Sequence, residues 1–263
     1  MTVIRSRENA RVKEWARLAA EPRERRERGL ALIEGVHLVE TFLGQGGVPA
    51  SLIVSEAALA RAEIADLVQR SGVRPSVLAE DLFKRISDAE SPTGIAAEIA
   101  IPDARVEPKG SAGCVFLDGL QDAGNVGTIL RTAAAFGVPD VLFGRGCADP
   151  WSPKALRAGM GGHFFLRISA SVDLAADVGR FGRISICTAA HGGAPIDSID
   201  LAGRVGWIFG SEGAGVSAPV EARATHRATI LTPGGAESLN VAASAAVCLY
   251  ERQRQVNTRG AGS

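Results

Sequence analysis

The sequence predicts an α/β protein of two domains, and three observations carry that expectation. Short apolar runs alternate with amphipathic helical stretches along most of the chain. The alternation breaks at "IPDARVEPKGSAG", residues 101–113, where Pro102, Pro108, Gly110 and Gly113 interrupt every periodicity. Glycine-rich turns follow several apolar runs of the second half: Gly144 and Gly146, Gly192 and Gly193, Gly210 with Gly213 and Gly215, and Gly234 with Gly235. The expected domains are residues 1–104, a smaller α/β sandwich, and residues 112–263, built on a parallel sheet.

In the first half, the pattern predicts a basic helix from about Asn9 to Leu18, a strand at "LALIEG" and a helix at "HLVETFLGQG". A strand at "SLIVS", a helix at "ALARAEIADLVQRSG", a strand around Val73–Val77 and a helix at "AEDLFKRISD" follow. In the second half, "GCVFLDGL", "DVLFG", "ISICTAA", "RVGWIFGSEGAG" and "ATILTP" read as strands buried on both faces, the signature of a parallel sheet between helix layers. Helices are expected at "VGTILRTAAAFG", "SPKALRAGM" and the alanine-rich stretch near the end, with the residues after Gln255 frayed. Ligands of such sheets bind beyond the carboxyl ends of the strands.

Composition narrows the function classes. At 263 residues and 46% hydrophobic, the chain can bury two modest cores. Net charge is zero, but residues 1–28 hold a local excess of arginine, with Arg5, Arg7, Arg11, Arg17, Arg23, Arg25, Arg26 and Arg28. Cys114, Cys147, Cys187 and Cys248 are widely spaced among apolar or small residues, without a C-x-x-C or histidine at metal-ligand spacing, so free thiols and no metal are expected. An apolar run long enough to span a bilayer and a secretory leader are both lacking from the pattern, which points to a cytoplasmic protein.

Three stretches have the residue types for chemistry. "WIFGSEGAGVS", residues 207–217, is a strand running into a glycine loop, where a ligand can lie against bare backbone. It has neither the dinucleotide nor the P-loop spacing, and Ser211 lacks a nucleophile-elbow frame. "LDGLQDAGNVGTILRTAAAFG", residues 117–137, sets Asn125 at a helix start and Arg131 on its second turn; capping and a local ion pair are the plain structural roles for these two. "AESLNVAASAAVCLYERQ", residues 236–253, places Ser238 and Asn240 at the mouth of a helix so rich in alanine (Ala242, Ala243, Ala245, Ala246) that it must pack close to its neighbours. His37, His163, His191 and His226 form no pattern.

In this order, the three stretches resemble the motifs of the SpoU/TrmH family of RNA ribose 2'-O-methyltransferases: Asn125-x-Gly127-x-x-x-Arg131, Gly210-Ser211-Glu212-Gly213 and Ser238-Leu239-Asn240-Val241. "SRENARVKEWARL", "LALIEGVHLVE" and "SPTGIAAEI" are similar to the family's N-terminal substrate-binding domain, so nearly the whole chain is covered. Ala123-Gly124 departs from the proline frequent after the aspartate. The resemblance implies a SPOUT fold with a deep trefoil knot and S-adenosylmethionine lying on backbone around Gly210, Ile230, Leu231, Thr232, Leu239 and Asn240. It also implies a homodimer with the site at or near the subunit interface. Asn125, Arg131, Glu212, Ser238 and Asn240 are the catalytic set it marks, acting on RNA, with ribosomal RNA favoured by the extra domain. Taking a proton from a guanidinium at neutral pH costs about 7 kcal/mol in general, so the marked arginine is expected to act as a cation.

Phosphate contacts are expected from Arg5, Arg7, Arg11, Lys13 and Arg25, together with Arg131, because arginine forks bind phosphate oxygens in pairs. A solvated helix face is the alternative for that basic segment. A bulky residue at Gly210 is expected to block the cofactor with little effect on folding if the turn tolerates it. A tRNA 2'-O-methyltransferase, a related base methyltransferase, a catalytically silent RNA-binding assembly factor, and a metabolic α/β enzyme for a phosphorylated substrate are the alternative functions. Which nucleotide is modified, and whether for ribosome maturation or antibiotic self-protection, is left open.

Overall fold

Asn9 opens the first helix by accepting the backbone N–H of Arg11 at 3.0 Å, and Val12, Trp15 and Leu18 then fall on its buried face. This computed structural model describes residues 2–110, 112–234 and 238–260, so Gly235 of the last glycine turn and the Ala236–Glu237 step lie outside the described residues. Packing divides the chain into two units. The first runs to Pro102 and takes in Asp149–Phe164; the second holds Asp103–Ala148 and the chain from Phe165 onward. The expected linker is therefore one of three places where the chain passes between units.

The first unit begins with β1 (Val3–Ile4), α1 (Ala10–Ala20), α2 (Pro22–Arg28), β2 (Leu30–Glu34) and α3 (Val36–Gly44). It continues with β3 (Ser51–Ser55), α4 (Ala62–Ser71), β4 (Ser76–Leu78), α5 (Glu80–Ile86) and β5 (Ile95–Ala100). The strands form one mixed sheet in the order β1-β4-β3-β5-β2, with β5 antiparallel to both neighbours. α1 packs its apolar face on Leu32, Ile53 and Leu78. Three of these elements escape the sequence reading: β1, α2 and β5. β5 has a buried Glu98 at its centre, which accepts from Trp15 Nε1 at 2.6 Å and Arg11 Nη2 at 3.1 Å and thereby satisfies an otherwise prohibitive charge.

α2, "PRERRER", has no apolar stripe at all. Its anchor is Arg25, only 2% exposed, whose Nη1 donates to the terminal carbonyls of α1 at Leu18 (2.5 Å) and Ala19 (3.0 Å) while Nε meets Asp149 at 2.7 Å. Those carbonyls lack helical partners, so the buried cation caps one helix and fastens the next. Arg25 therefore leaves the expected phosphate-contacting set: its side chain is buried, with Nε and Nη1 bound inward.

The second unit contains β6 (Cys114–Asp118), α6 (Ala123–Ala135) and β7 (Asp140–Phe143); α7 (Pro153–Gly159) then packs on β2 of the first unit, to which it belongs. β8 (Arg167–Ala170), α8 (Leu174–Phe181), β9 (Ile184–Thr188), β10 (Ala194–Pro195), β11 (Val205–Gly210), α9 (Ala218–Glu221), β12 (His226–Thr229) and α10 (Val241–Gly260) complete it. All seven strands are parallel, in the order β10-β12-β9-β11-β6-β7-β8. β11 is buried at every position, as a central parallel strand covered on both faces must be. The alanine-rich helix packs against α6 and buries its small residues Ala242 and Ala245, which are 5% and 0% exposed, while Ala243 faces outward. α10 stays helical to Gly260, beyond the point where fraying is expected.

His163, in the segment shared with the first unit, is 1% exposed and lies 5.3 Å from the Trp151 ring. Its Nε2 stands 2.7 Å from the Pro150 carbonyl and must carry the proton, while Nδ1 has no partner. Burial pulls its pKa from the ordinary 6.5 down to about 4 against the opposing pull of that carbonyl. Between these values the unfolded chain binds the extra proton and the folded one does not, so stability falls as pH drops through that window. Denaturant titrations should show wild-type stability falling by up to about 3 kcal/mol more than that of His163→Phe between pH 6.5 and 4; parallel curves would contradict the assignment.

Candidate active site

The N-terminus of α10 fixes the orientation of every amide in the site. Asn240 caps that helix: its Oδ1 accepts the backbone N–H groups of Ala242 at 2.9 Å and Ala243 at 3.3 Å. With the oxygen committed, Nδ2 points away and donates to Asn125 Oδ1 at 3.1 Å. Asn125 in turn presents its own Nδ2 to Glu212 Oε1 at 2.5 Å. One directional chain thus joins three segments far apart in sequence, running from the positive end of a helix to a carboxylate.

Asn125 is free for this role because a different residue caps α6. Asp122 Oδ1 accepts the Asn125 backbone N–H at 2.9 Å, so the capping role weighed for Asn125 belongs to Asp122. Beside it, Asp118 at the end of β6 accepts the Ser217 N–H at 2.8 Å and ties the far side of the glycine loop to the same edge. The sequence reading passes over both aspartates, although an Asp three residues before Asn125 is a helix-start signal.

Glu212 and Asn240 also line a cleft of about 400 Å³ at the carboxyl ends of β9, β11 and β12. Its wall is largely backbone and small side chains: Thr188–Ala190, Gly210–Gly215, Ile230, Thr232, Ser238–Val241 and Ser244. Gly210, Ile230, Thr232, Leu239 and Asn240 are on this wall as expected, whereas Leu231 is not and is 67% exposed. Ser238 lines the cleft without joining the amide chain. The contribution of β9 through Thr188–Ala190 was missed, although it sits at a strand's carboxyl end, where the sheet rule directs attention.

Inside the glycine loop the backbone folds back on itself. Ser211 and Gly215 exchange backbone hydrogen bonds at 3.1 and 2.9 Å. A Cβ on Gly210 would lie 2.1 Å from the Gly215 carbonyl carbon, whereas one on Gly213 meets nothing within 4 Å. The expectation that Gly210 tolerates a bulky residue without harm to folding is therefore overturned: Gly210 is required by the turn itself.

Arg131 lies on the exposed surface of α6, outside the cleft wall, and has no hydrogen bond or ion pair among the described residues. The basic residues of the first unit are mostly paired. Arg5 binds Glu56 through 2.8 and 2.9 Å contacts, Arg7 meets Asp81 at 3.3 Å, Arg11 meets Glu14 and Glu98, and Lys13 meets Glu8. The Arg17 and Arg85 side chains have no hydrogen bond or ion pair among the described residues and, with Lys13, Glu14 and Glu21, edge an open groove of about 490 Å³ beside α1 and α5. Two predictions follow from the loop and the chain. Gly210→Ala should lose about 1–3 kcal/mol in denaturant titration while Gly213→Ala stays within about 0.5 kcal/mol. Asn125→Ala should preserve the fold but leave Asn240 Nδ2 and Glu212 without their partner, visible as disorder of residues 211–215 in a crystal structure.

Comparison with known proteins identifies the family of the chain. Residues 113–250 match the SpoU rRNA Methylase family, and residues 9–97 match the MRM3-like substrate binding domain. Over 257 residues the chain is 33% identical to the 23S rRNA (guanosine(2553)-2'-O)-methyltransferase RlmP of Bacillus subtilis, across 95% of this chain and 98% of that protein. A solved RNA 2'-O ribose methyltransferase superposes with a TM-score of 0.80 at 31% identity, covering 97% of this chain and 99% of that one. An AdoMet-bound rRNA methyltransferase from Sinorhizobium meliloti does so with a TM-score of 0.83 at 25% identity, covering 97% and 98%. Matched along almost its whole length and in the cleft-bearing unit, the chain belongs to the SpoU rRNA methylase family.

Proposed function

We infer that the chain transfers the methyl group of S-adenosylmethionine to a ribose 2'-hydroxyl in ribosomal RNA. The observation that carries this reading is the hydrogen-bonded chain from Asn240 through Asn125 to Glu212 at the rim of a backbone-walled cleft. Support comes from the relative that methylates 23S rRNA at a guanosine 2'-oxygen and from the structural neighbour with AdoMet bound. The knotted passage of the C-terminal segment belongs to the same reading.

The cleft fits the cofactor: about 400 Å³ is in the range of small-molecule sites, and its lining of bare backbone and small residues leaves room for an extended ligand. When bound, S-adenosylmethionine supplies an electrophilic methyl group. Gly210–Gly215, Ile230, Thr232 and Leu239 hold it, with Asn240 at the entrance. Asn125 and Asn240 orient the ribose, and Glu212 keeps the Asn125 amide in its working orientation. Arg131 holds an RNA phosphate and stabilises the 2'-oxygen as its proton passes to another acceptor or to water. Its lack of an internal partner supports that role, since a fork already bound to carboxylate would have to be released first.

The active species is a homodimer with the site near the subunit interface. Val247 and Tyr250 on α10 are 39% and 59% exposed and provide apolar area on the helix that packs against α6. RNA phosphates meet the first unit along the groove of Lys13, Arg17 and Arg85. Arg5 and Arg7 take part by exchanging exposed carboxylate partners that hold them by at most about 1 kcal/mol each, whereas Arg11 stays on the buried Glu98 and leaves the phosphate-contacting set. Deleting residues 1–28 would remove Val12, Trp15 and Leu18 from the core, so charge reversal at Arg17 and Arg85 is the appropriate probe of this surface.

Single-turnover methyl transfer at saturating RNA tests the central role. Arg131→Ala should abolish transfer while calorimetric cofactor affinity is kept, and Arg131→Lys should retain part of the rate. Complete loss in the lysine variant, with a parent rate rising log-linearly at alkaline pH, would instead assign Arg131 as a proton acceptor. For the cofactor, Gly213→Val should weaken S-adenosylmethionine binding at least tenfold at unchanged melting temperature. Unaltered affinity would place the cofactor elsewhere.

A further inference from the structure

Among the described residues, the loops at the carboxyl edge of the parallel sheet carry more carboxylates than cations. The loops that leave β6, β7, β8, β9, β11 and β12 comprise residues 119–122, 144–148, 171–173, 189–193, 211–217, and the described parts of 230–240. They contain Asp122, Asp173 and Glu212, and Asp118 stands at the end of β6. Among the described residues of these loops, Arg145 is the single lysine or arginine. It is exposed and has no hydrogen bond or ion pair among the described residues. A polyanion approaching this edge meets carboxylates on the loops after β6, β8 and β11 and uncharged residues on the described parts of those after β9 and β12.

The loop that carries Arg145 is built into the site. Gly144 N–H donates to Leu117 O at 2.8 Å, and Ala148 N–H donates to Leu120 O at 2.7 Å. The thiol of Cys147 accepts the Leu120 N–H at 3.3 Å and donates to Leu117 O at 3.3 Å. A Cβ on Gly144 would come within 3.2 Å of that same carbonyl, so glycine permits the close approach. Residues 144–148 are thereby clamped on both sides to residues 117–120, two positions before Asp122, whose carboxylate holds the Asn125 backbone. Arg145 thus has a backbone registered to the amide chain of the site and a guanidinium that no described residue occupies.

We propose that Arg145 is an RNA-contacting residue of the catalytic unit, holding a phosphate of the strand that presents the target ribose. The proposal rests on the reading that the substrate is RNA, and adds a contact on the opposite side of β6 from the cofactor cleft, since β7 flanks β6 away from β11. A guanidinium fork matches a phosphate in shape and charge, and its clamped loop limits the freedom lost on binding.

Equilibrium binding to a transcript of bacterial 23S ribosomal RNA, across a range of salt, tests it. Arg145→Ala should weaken binding about tenfold, the loss of one charge-assisted contact, and lower the salt slope by about 0.9. Arg145→Lys should recover much of the slope, and cofactor affinity should be unchanged. Arg183→Ala, removing an exposed arginine that has no partner among the described residues and stands just before the amino end of β9, should behave as wild type. An Arg145→Ala protein equal to wild type in affinity and slope overturns the assignment, as does an equal loss in Arg183→Ala. Methyl transfer measured on the same samples separates the two claims: RNA binding that depends on Arg145 without any methyl transfer would refute the catalytic reading and leave this one standing.

Discussion

The commitment of one side-chain oxygen to a helix end organises the whole site. Asn240 must cap α10, because the first N–H groups of a helix have no partner of their own. That commitment decides which way its amide faces, which decides how Asn125 faces, which turns a donor toward Glu212. Asparagine at both relay positions has a clear reason. An aspartate at either one would replace a donor by an acceptor and set two oxygens against each other. The three sequence motifs are thus parts of one hydrogen-bonded object, and each constrains the others.

Around that object, the fold supplies closeness. The parallel order of the sheet brings the ends of β9, β11 and β12 to one side, and the absence of side chains allows backbone to approach backbone there. At Gly210 a single Cβ would collide with the Gly215 carbonyl carbon. At α10, Ala242 and Ala245 let the helix settle on α6, which bears Asn125. Alanine in the helix and glycine in the loop answer the same need: Asn240, Asn125 and Glu212 meet only if their backbones are close.

The buried parallel strands of the second unit were legible because a strand covered on both faces must be continuously apolar, and "VGWIFG" and "CVFLD" are. The cleft was legible in part, since polar residues at strand and helix ends have few other reasons to cluster with glycine. What stayed hidden depends on partners distant in sequence. α2 has no apolar stripe, since a buried arginine anchors it to carbonyls and to Asp149. β5 has a glutamate at its centre, acceptable only because Trp15 and Arg11 meet it. β8 is a short edge strand whose Arg167 pairs with Asp140 of β7, and its polar sequence resembles a loop. The packing of residues 149–164 with the first unit leaves no trace in local pattern at all.

The central claim is that this arrangement delivers a methyl group to a sugar oxygen. Incubating bacterial 23S ribosomal RNA with the protein and trideuteromethyl-labelled S-adenosylmethionine, then digesting to nucleosides for tandem mass spectrometry, tests it most directly. The label should stay with the ribose fragment of one nucleoside when the glycosidic bond is broken. Label on the base fragment, or no incorporation by protein that binds both cofactor and RNA, would contradict it.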